Sequence, residues 1–192
     1  AAGEVIDSLA AVVRELVENA LDAGATRIVV SLWTDLWRIS VADNGKGMSA
    51  EDLRICATAH STSKIRSSKD LWKITSLGFR GEALHSISQV AELEIFSRSS
   101  SSPDTIGWRS IYKQGEAIEE MAVAIAVGTI VNVSNLFGNL PVRRKGLPSM
   151  SQQLKAVQVL IQQIALTHPT VTWQIQQNDR LWFSICPSDR AG

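Results

Sequence analysis

The chain has 192 residues, of which 45% are hydrophobic and 20% are charged. That length and composition suit one globular domain with a core of its own, so we expect residues 1–192 to form a single domain. The 19 basic and 19 acidic side chains cancel, which excludes a global charge that draws the protein to nucleic acid or to a membrane surface. No apolar run approaches the roughly 20 residues of a membrane helix, so we expect no membrane partner and a cytoplasmic location.

The cysteines and the first residue add two expectations. Cys56 and Cys186 are far apart in the sequence, and such sparse cysteine usage favours reduced, buried thiols in a reducing compartment. The chain opens on Ala1 and not on Met, so we expect it to be a fragment of a longer protein.

The first predicted helix carries polar groups along one edge. At about 100° per residue, Glu15, Asn19 and Asp22 fall within an arc of about 60°. The apolar residues share the opposite side, namely Leu9, Val12, Val13, Leu16, Val17, Ala20 and Leu21. Gly24 suits the left-handed position after a helix, so the helix should end near Ala23. Its polar edge is therefore placed to overhang a cleft.

A β-hairpin is predicted after this helix. Residues 26–33 and 36–42 are rich in Ile, Val and Trp and flank a short Thr34-Asp35 turn, which is the pattern of two paired strands. The second strand leads directly into Asp43. The hairpin should therefore deliver this carboxylate to one end of the sheet.

A long polar segment follows a short helix that Ser49 should begin and that should end near Ala57. Residues 58–84 contain little core material, and a segment of this length without secondary structure is often functional. We predict that it is a lid. Its last part, Gly78-Phe79-Arg80-Gly81, should open another short helix over Glu82 to Gln89.

The rest of the chain alternates predicted strands with one long helix. Strands are expected over residues 92–98, over 105–125 as a pair that reverses near Gln114-Gly115, and over 129–134; a loop over 141–146, a helix over 149–168 and a hairpin over 171–177 and 180–186 follow. Helices that are segregated from mainly antiparallel strands predict an α/β two-layer sandwich, in which helices cover one face of the sheet.

Four pieces of sequence together resemble the nucleotide-binding motifs of the GHKL ATPase superfamily, which includes DNA gyrase, heat-shock chaperones and histidine kinases. They are the Glu15/Asn19 helix, Asp43-Asn44-Gly45-Lys46-Gly47, Gly78-Phe79-Arg80-Gly81-Glu82-Ala83-Leu84 and Gly128-Thr129. Within that group, Glu15-Leu16-Val17-Glu18-Asn19 and Arg143-Arg144-Lys145 are most similar to the N-terminal ATPase region of the MutL mismatch-repair family. The resemblance implies a Bergerat-type ATP-binding fold.

Glu15 and Asn19 lie one turn apart on the polar edge of the first helix. A carboxylate at the edge of a dry cleft can accept a proton from water that attacks a γ-phosphate, which makes Glu15 the candidate general base. The neutral amide oxygen of Asn19 suits Mg²⁺ that takes its other ligands from water and phosphate. The alternative is that both residues only solvate the helix.

Asp43 is the candidate adenine-binding residue. An acceptor-only carboxylate can take the exocyclic amine of adenine and disfavours the carbonyl of guanine. Gly45 and Gly47 let the backbone come close to the base, and Thr129 is placed to hydrogen-bond the same carboxylate or a water beside it. The alternative is an ordinary turn, which Asp-Asn-Gly commonly forms.

The end of the predicted lid is the candidate phosphate site. Free N–H groups at a helix N-terminus favour phosphate. The resemblance implies mostly backbone contacts there and adds charged or polar candidates from the lid; the residues are Gly78, Arg80, Gly81, Glu82, Ala83, Leu84, Ser63 and Lys64. A plain turn and a solvated Ser/Lys loop are the alternatives.

Arg143, Arg144 and Lys145 form a compact basic run. Such cations can contact DNA phosphates in a salt-dependent, sequence-independent way. A solvated loop is an equally good interpretation.

The family resemblance implies Mg²⁺-dependent ATP binding and slow hydrolysis that switch the conformation and dimerisation of a DNA mismatch-repair protein. Implied partners are a mismatch-recognition protein, downstream repair factors, DNA and a second copy of the protein, in the bacterial nucleoid or a eukaryotic nucleus. The family also uses a lysine from a following domain and a segment before Ala1, so we expect weak hydrolysis by this chain alone. The alternatives are a nucleotide-gated binding module without useful turnover and the ATPase domain of a topoisomerase or chaperone.

Overall fold

The computed structural model describes residues 5–58, 82–103 and 105–188. The strands in these ranges are β1 (Arg27–Trp33), β2 (Arg38–Asp43), β3 (Glu92–Arg98), β4 (Ile106–Lys113), β5 (Glu116–Ala124), β6 (Gly128–Ser134), β7 (Thr172–Gln177) and β8 (Arg180–Ile185). The helices are α1 (Leu9–Asp22), α2 (Ala50–Cys56), α3 (Ala83–Val90), α4 (Pro141–Lys145) and α5 (Met150–Thr167). The predicted lid, residues 58–84, falls mostly outside the described residues.

All eight strands of the described residues join one sheet in the order β5-β4-β3-β6-β2-β1-β7-β8. Neighbouring strands are antiparallel, except that β1 and β7 are parallel. Cross-strand rows of buried apolar side chains lie on one face, such as the row Val30, Val41, Val131 and Ile95. Helices pack on this side, which confirms the predicted α/β two-layer architecture.

Helix α1 has the faces and the C-terminal end that its sequence predicts. The Ser8 side chain caps its first turn by accepting from the Ala11 N–H at 3.1 Å, and Gly24 follows its end with φ +76°. The apolar side is buried at Leu9, Val12, Val13, Leu16, Val17 and Ala20. This helix packs against α5 and over β2, so its opposite, polar edge is held near the end of β2.

Three local predictions are wrong. The β1–β2 loop is not a two-residue turn but spans residues 34–37, because Trp33 pairs with Arg38 and Trp37 has φ +49°. The predicted basic loop is the short helix α4, which Pro141 begins because its fixed φ suits a first helical position. Cys186 is exposed, whereas Cys56 is buried as expected; both thiols are free.

No helix among the described residues is long and apolar enough to cross a lipid bilayer.

Candidate functional site

The buried face of the sheet becomes polar at one end of β2. Asp43 lies between Ile28 of β1 and Thr129 of β6, and Thr129 in turn lies opposite Ser97 of β3. The next two rows along the same face are apolar and buried: Val30, Val41, Val131 and Ile95, then Leu32, Ile39, Val133 and Leu93. Asp43, Thr129 and Ser97 therefore form a polar row at the rim of the core.

Burial governs the acid–base behaviour of Asp43. Desolvation raises the pKa of its carboxyl from 3.8 to about 6, and the backbone amides of Gly45 and Thr129 oppose this rise. The Gly45 N–H donates to Asp43 Oδ1 at 2.8 Å. At neutral pH the side chain is therefore a partly buried carboxylate that can accept further hydrogen bonds.

The loop after Asp43 is tied to three elements. The Lys46 N–H donates to the Ala23 carbonyl at 2.9 Å, next to the end of α1. The Asn44 Oδ1 accepts from the backbone N–H groups of Thr26 and Arg27, at 2.8 and 2.9 Å. The Ser100 N–H donates to the Lys46 carbonyl at 2.8 Å, just after β3. These bonds hold the loop beside the C-terminal end of α1.

Glycines make this close packing possible. Gly47 has φ +66°, and an added Cβ would lie 1.9 Å from the Arg98 carbonyl oxygen. Gly128 has φ +132°, and its Cβ would lie 2.2 Å from the Asp43 carbonyl oxygen. A Cβ on Gly45 would lie 2.7 Å from the Ala23 carbonyl oxygen. A side chain at any of these positions would therefore force the backbone around Asp43 to move.

Ser97 is a residue of this site that sequence reasoning missed. It is fully buried, and its Oγ lies 2.8 Å from Thr129 Oγ1. The Thr129 hydroxyl is therefore engaged by Ser97, while its backbone amide acts on Asp43. The strand order alone brings Ser97 to this position, and no local sequence signal reports that order.

Glu15 and Asn19 lie half-buried on the polar edge of α1, and Asp22 is exposed. Among the described residues, the Asn19 side-chain amide makes no hydrogen bond, and no three His, Cys, Asp or Glu side chains lie close enough to hold a metal ion. A neutral amide oxygen without a carboxylate cluster fits Mg²⁺ that keeps waters and takes phosphate ligands. It does not fit a metal held in an all-protein cage.

The predicted phosphate-binding residues are only partly described. Ser63, Lys64, Gly78, Arg80 and Gly81 lie outside the described residues. Glu82 is the exposed residue before α3, and Ala83 and Leu84 are in its first turn. The Leu84 side chain is 2% exposed and belongs to the core, so only its backbone is available to a ligand.

Both arginines of the basic run have structural contacts. Arg143 donates to the Ile6 carbonyl at 3.0 Å and lies 5.3 Å from the centre of the Phe137 ring. Arg144 donates to the Leu136 carbonyl at 2.6 Å and lies 4.8 Å from the centre of the Trp37 ring. Lys145 is exposed. The arginines thus stabilise the end of the sheet opposite Asp43, which the solvated-loop interpretation did not foresee.

Comparison with known families agrees with this geometry. Residues 7–134 match the family described as Histidine kinase-, DNA gyrase B-, and HSP90-like ATPase. The chain belongs to this ATPase family. The match includes α1, the Asp43 loop and Thr129, so the predicted GHKL membership is confirmed.

Comparison with curated proteins shows a likeness to MutL proteins in particular. The chain is 64% identical over 192 residues to the DNA mismatch repair protein MutL of Trichormus variabilis, covering 100% of this chain and 34% of the relative. It is 66% identical over 192 residues to MutL of Nostoc punctiforme, again covering 34% of the relative. The chain thus spans about a third of the length of these relatives. The predicted likeness to the MutL family is confirmed.

Solved structures give the same result. The Aquifex aeolicus MutL ATPase domain complexed with ADP superimposes with a TM-score of 0.77 at 33% identity, covering 96% of this chain and 66% of that one. A structure described as the N terminal domain of a DNA repair protein gives a TM-score of 0.79 at 28% identity, with coverages of 97% and 55%. In both sequence and structure, the chain is therefore similar to MutL proteins.

Proposed function

We propose that this chain is the single ATP-binding domain of a MutL-type mismatch-repair protein and that it binds ATP with Mg²⁺ and hydrolyses it slowly. The observation that carries the proposal is Asp43, a carboxylate in the polar row at the rim of the core. The tight Gly45 and Gly47 loop leads from it towards the polar edge of α1. A nucleotide whose base meets Asp43 can direct its phosphates along that edge.

Base recognition follows from the acceptor character of the polar row. The ionised Asp43 carboxylate accepts the 6-amino group of adenine, whereas the 6-carbonyl of guanine offers it no proton. Because Asp43 is largely desolvated, a mismatched base would leave its remaining lone pairs without a donor. A site built around such a hydrogen bond rejects the wrong group strongly.

Glu15 and Asn19 have distinct roles in hydrolysis. Glu15 orients the attacking water and accepts its proton as the bond to the γ-phosphate forms. The Asn19 amide oxygen would hold Mg²⁺, which supplies positive charge to the phosphates when bound. The two side chains lie one helical turn apart on α1, so one rigid element positions both.

The phosphates would lie at the beginning of α3. The backbone N–H groups of Ala83 and Leu84 belong to its first turn, where free N–H groups and the helix dipole favour an anion. Glu82 contributes through its backbone. Ser63, Lys64, Gly78, Arg80 and Gly81 remain predicted contacts of the lid, residues 58–84.

Hydrolysis serves a conformational switch in this proposal. Contacts that exist only with the γ-phosphate can order a segment and create a dimer surface, and turnover then resets it. The longer protein would dimerise on ATP binding and act with a mismatch-recognition protein, downstream repair factors and DNA. The longer protein would be located beside the chromosome, in the cytoplasm of a prokaryote or in a nucleus.

A single-turnover assay tests the catalytic part. The chain replaces its counterpart in Trichormus variabilis MutL, to which it is 64% identical, and the chimera is mixed in excess over radiolabelled ATP and Mg²⁺. Glu15→Gln should slow hydrolysis at least about 100-fold, the usual contribution of a general base. Glu18→Gln on the same helix is the control and should retain hydrolysis. If Glu15→Gln hydrolyses ATP at the parent rate, Glu15 is not the general base.

A further inference from the structure

Ser97 joins two motifs that are distant in the sequence. The Met48 N–H donates to Ser97 Oγ at 2.8 Å, and Ser97 Oγ donates to the Gly128 carbonyl at 3.1 Å. The same oxygen lies 2.8 Å from Thr129 Oγ1. One buried hydroxyl therefore connects the end of the Asp43 loop to the Gly128-Thr129 pair.

These three contacts fix the direction of the Thr129 hydroxyl. A serine hydroxyl has one proton and two lone pairs. Ser97 uses its proton on the Gly128 carbonyl and one lone pair on the Met48 N–H, so only a lone pair remains for Thr129. Thr129 must donate to Ser97 for all three contacts to form together. The Thr129 hydroxyl has then used its proton, and it can only accept further hydrogen bonds.

We propose that Ser97 is a specificity-determining positioning residue, which makes Thr129 an obligate acceptor beside Asp43 and thereby selects a purine with an amino group at position 6. This inference rests on the proposed ATP site and adds a residue that acts on the base through Thr129. Asp43 and Thr129 face each other across β2 and β6, so their side chains lie next to each other on the same face of the sheet. Only a ligand or a water that brings protons satisfies that pair.

Removal of the Ser97 hydroxyl would free the Thr129 proton. The freed proton can turn to Asp43, where it competes with a purine amine, or to a carbonyl at purine position 6. Both outcomes weaken the preference for the amine. A general loss of packing, in contrast, weakens the binding of all nucleotides alike.

The test compares ADP with inosine diphosphate, because these two ligands differ at purine position 6 and neither contains a γ-phosphate to hydrolyse. Calorimetric titrations of the purified chain give the ratio of the two affinities. Ser97→Ala should lower the ADP preference about fivefold, which is the size of one hydrogen bond. Ser110→Ala is the matched control: Ser110 is a buried serine of neighbouring β4, and its removal should leave the ratio unchanged.

Substitutions at position 129 separate positioning from packing. Thr129→Val keeps the shape of the side chain and should lower the ratio like Ser97→Ala, and the double variant should show no further fall, because Ser97 acts through Thr129. Thr129→Ser retains the hydroxyl and should retain the ratio. If Ser97→Ala does not fold, these variants still test whether the Thr129 hydroxyl sets the preference for ADP.

Two results would overturn the inference. If the parent chain prefers ADP and the ratio is unchanged in Ser97→Ala or Thr129→Val, Ser97 does not determine base specificity. The proposed ATP site is not affected by that result. A parent chain that binds neither diphosphate refutes the proposed function and the inference together.

Discussion

Asp43 and Thr129 are direct partners in the antiparallel ladder of β2 and β6. Thr129 is buried and bonded to Ser97, so the carboxylate faces a fixed, desolvated environment. The pKa of Asp43 rises to about 6 because burial disfavours its charged form. A buried charge that lowers the free energy of unfolding in this way is typical of a functional group.

Asp43→Asn should therefore stabilise the chain without nucleotide. The folded state holds the Asp43 proton more tightly than the unfolded state, so stability present below about pH 4 is lost as pH rises through about 6. The neutral amide avoids this loss. At pH 7.5 the variant should unfold in urea with a free energy higher by on the order of 2 kcal/mol, and the difference should shrink towards pH 4. Equal stability of both proteins at pH 7.5 would contradict the raised pKa.

The same titration should appear in nucleotide binding. An adenine amine pairs with the ionised carboxylate, so the affinity for ADP should rise about tenfold between pH 5 and pH 7, as a group with a pKa of about 6 loses its proton. Calorimetry at several pH values in buffers of equal ionic strength measures this change. The control is inosine diphosphate, whose affinity should rise less. An ADP affinity that is flat across this range would exclude Asp43 from base recognition.

Gly47→Ala should abolish nucleotide binding. The substitution combines a left-handed φ of +66° with a Cβ placed 1.9 Å from the Arg98 carbonyl oxygen, so the loop must move away from β3. Gly24→Ala is a matched control, because Gly24 has φ +76° with nothing within 4 Å of an added Cβ. It should cost about 1 kcal/mol of unfolding free energy and retain ADP binding. Retained binding in Gly47→Ala, measured by calorimetry, would show that close packing of this loop is unnecessary.

Arg144→Ala should destabilise the fold by about 2 kcal/mol, because it removes a hydrogen bond to the Leu136 carbonyl and a stack on Trp37. Arg144→Lys should restore little of this, since an ammonium cannot reproduce the planar fork. Urea denaturation measures both variants. Lys145→Ala, at the exposed neighbouring position, is the control and should change stability by less than about 0.5 kcal/mol. If Arg144→Ala unfolds with the same free energy as the parent chain, these contacts do not stabilise the fold.

DNA binding by the basic run is best tested at Lys145, because charge reversal at Arg143 or Arg144 would also break structural contacts. If the run contacts phosphates, Lys145→Glu should weaken binding to duplexes of any sequence and lower the slope of log affinity against log salt by about 1. Fluorescence anisotropy over a range of salt concentrations measures both quantities. Binding by the variant that matches the parent at every salt concentration would remove Lys145 from the DNA surface.

Local patterns predicted the parts of the fold that local physics controls. The apolar stripe and the glycine after the helix predicted the faces of α1 and its C-terminal end almost to the residue. The Asn178-Asp179 turn was also predicted, and both residues have the positive φ that a tight hairpin turn requires. In each case, the interactions that decide the structure lie within a few residues of each other.

The errors arose where distant contacts decide the structure. Trp37 adopts φ +49° in a hairpin loop, where its carbonyl accepts from the Leu136 N–H and its ring stacks under Arg144. The parallel pairing of β1 with β7 and the placement of Ser97 likewise depend on the strand order. The motif residues of the candidate site were predicted from the sequence, but the hydrogen bond between Ser97 and Thr129 was not.

Calorimetric titration of the purified chain with a non-hydrolysable ATP analogue shows whether the Asp43 site binds ATP. The titration is made with and without Mg²⁺, with GTP as competitor and beside Asp43→Asn. We expect Mg²⁺-dependent binding that GTP does not displace and that Asp43→Asn loses while it remains folded. The proposed ATP site would be contradicted if the folded parent chain bound no analogue, or if Asp43→Asn bound it as tightly as the parent.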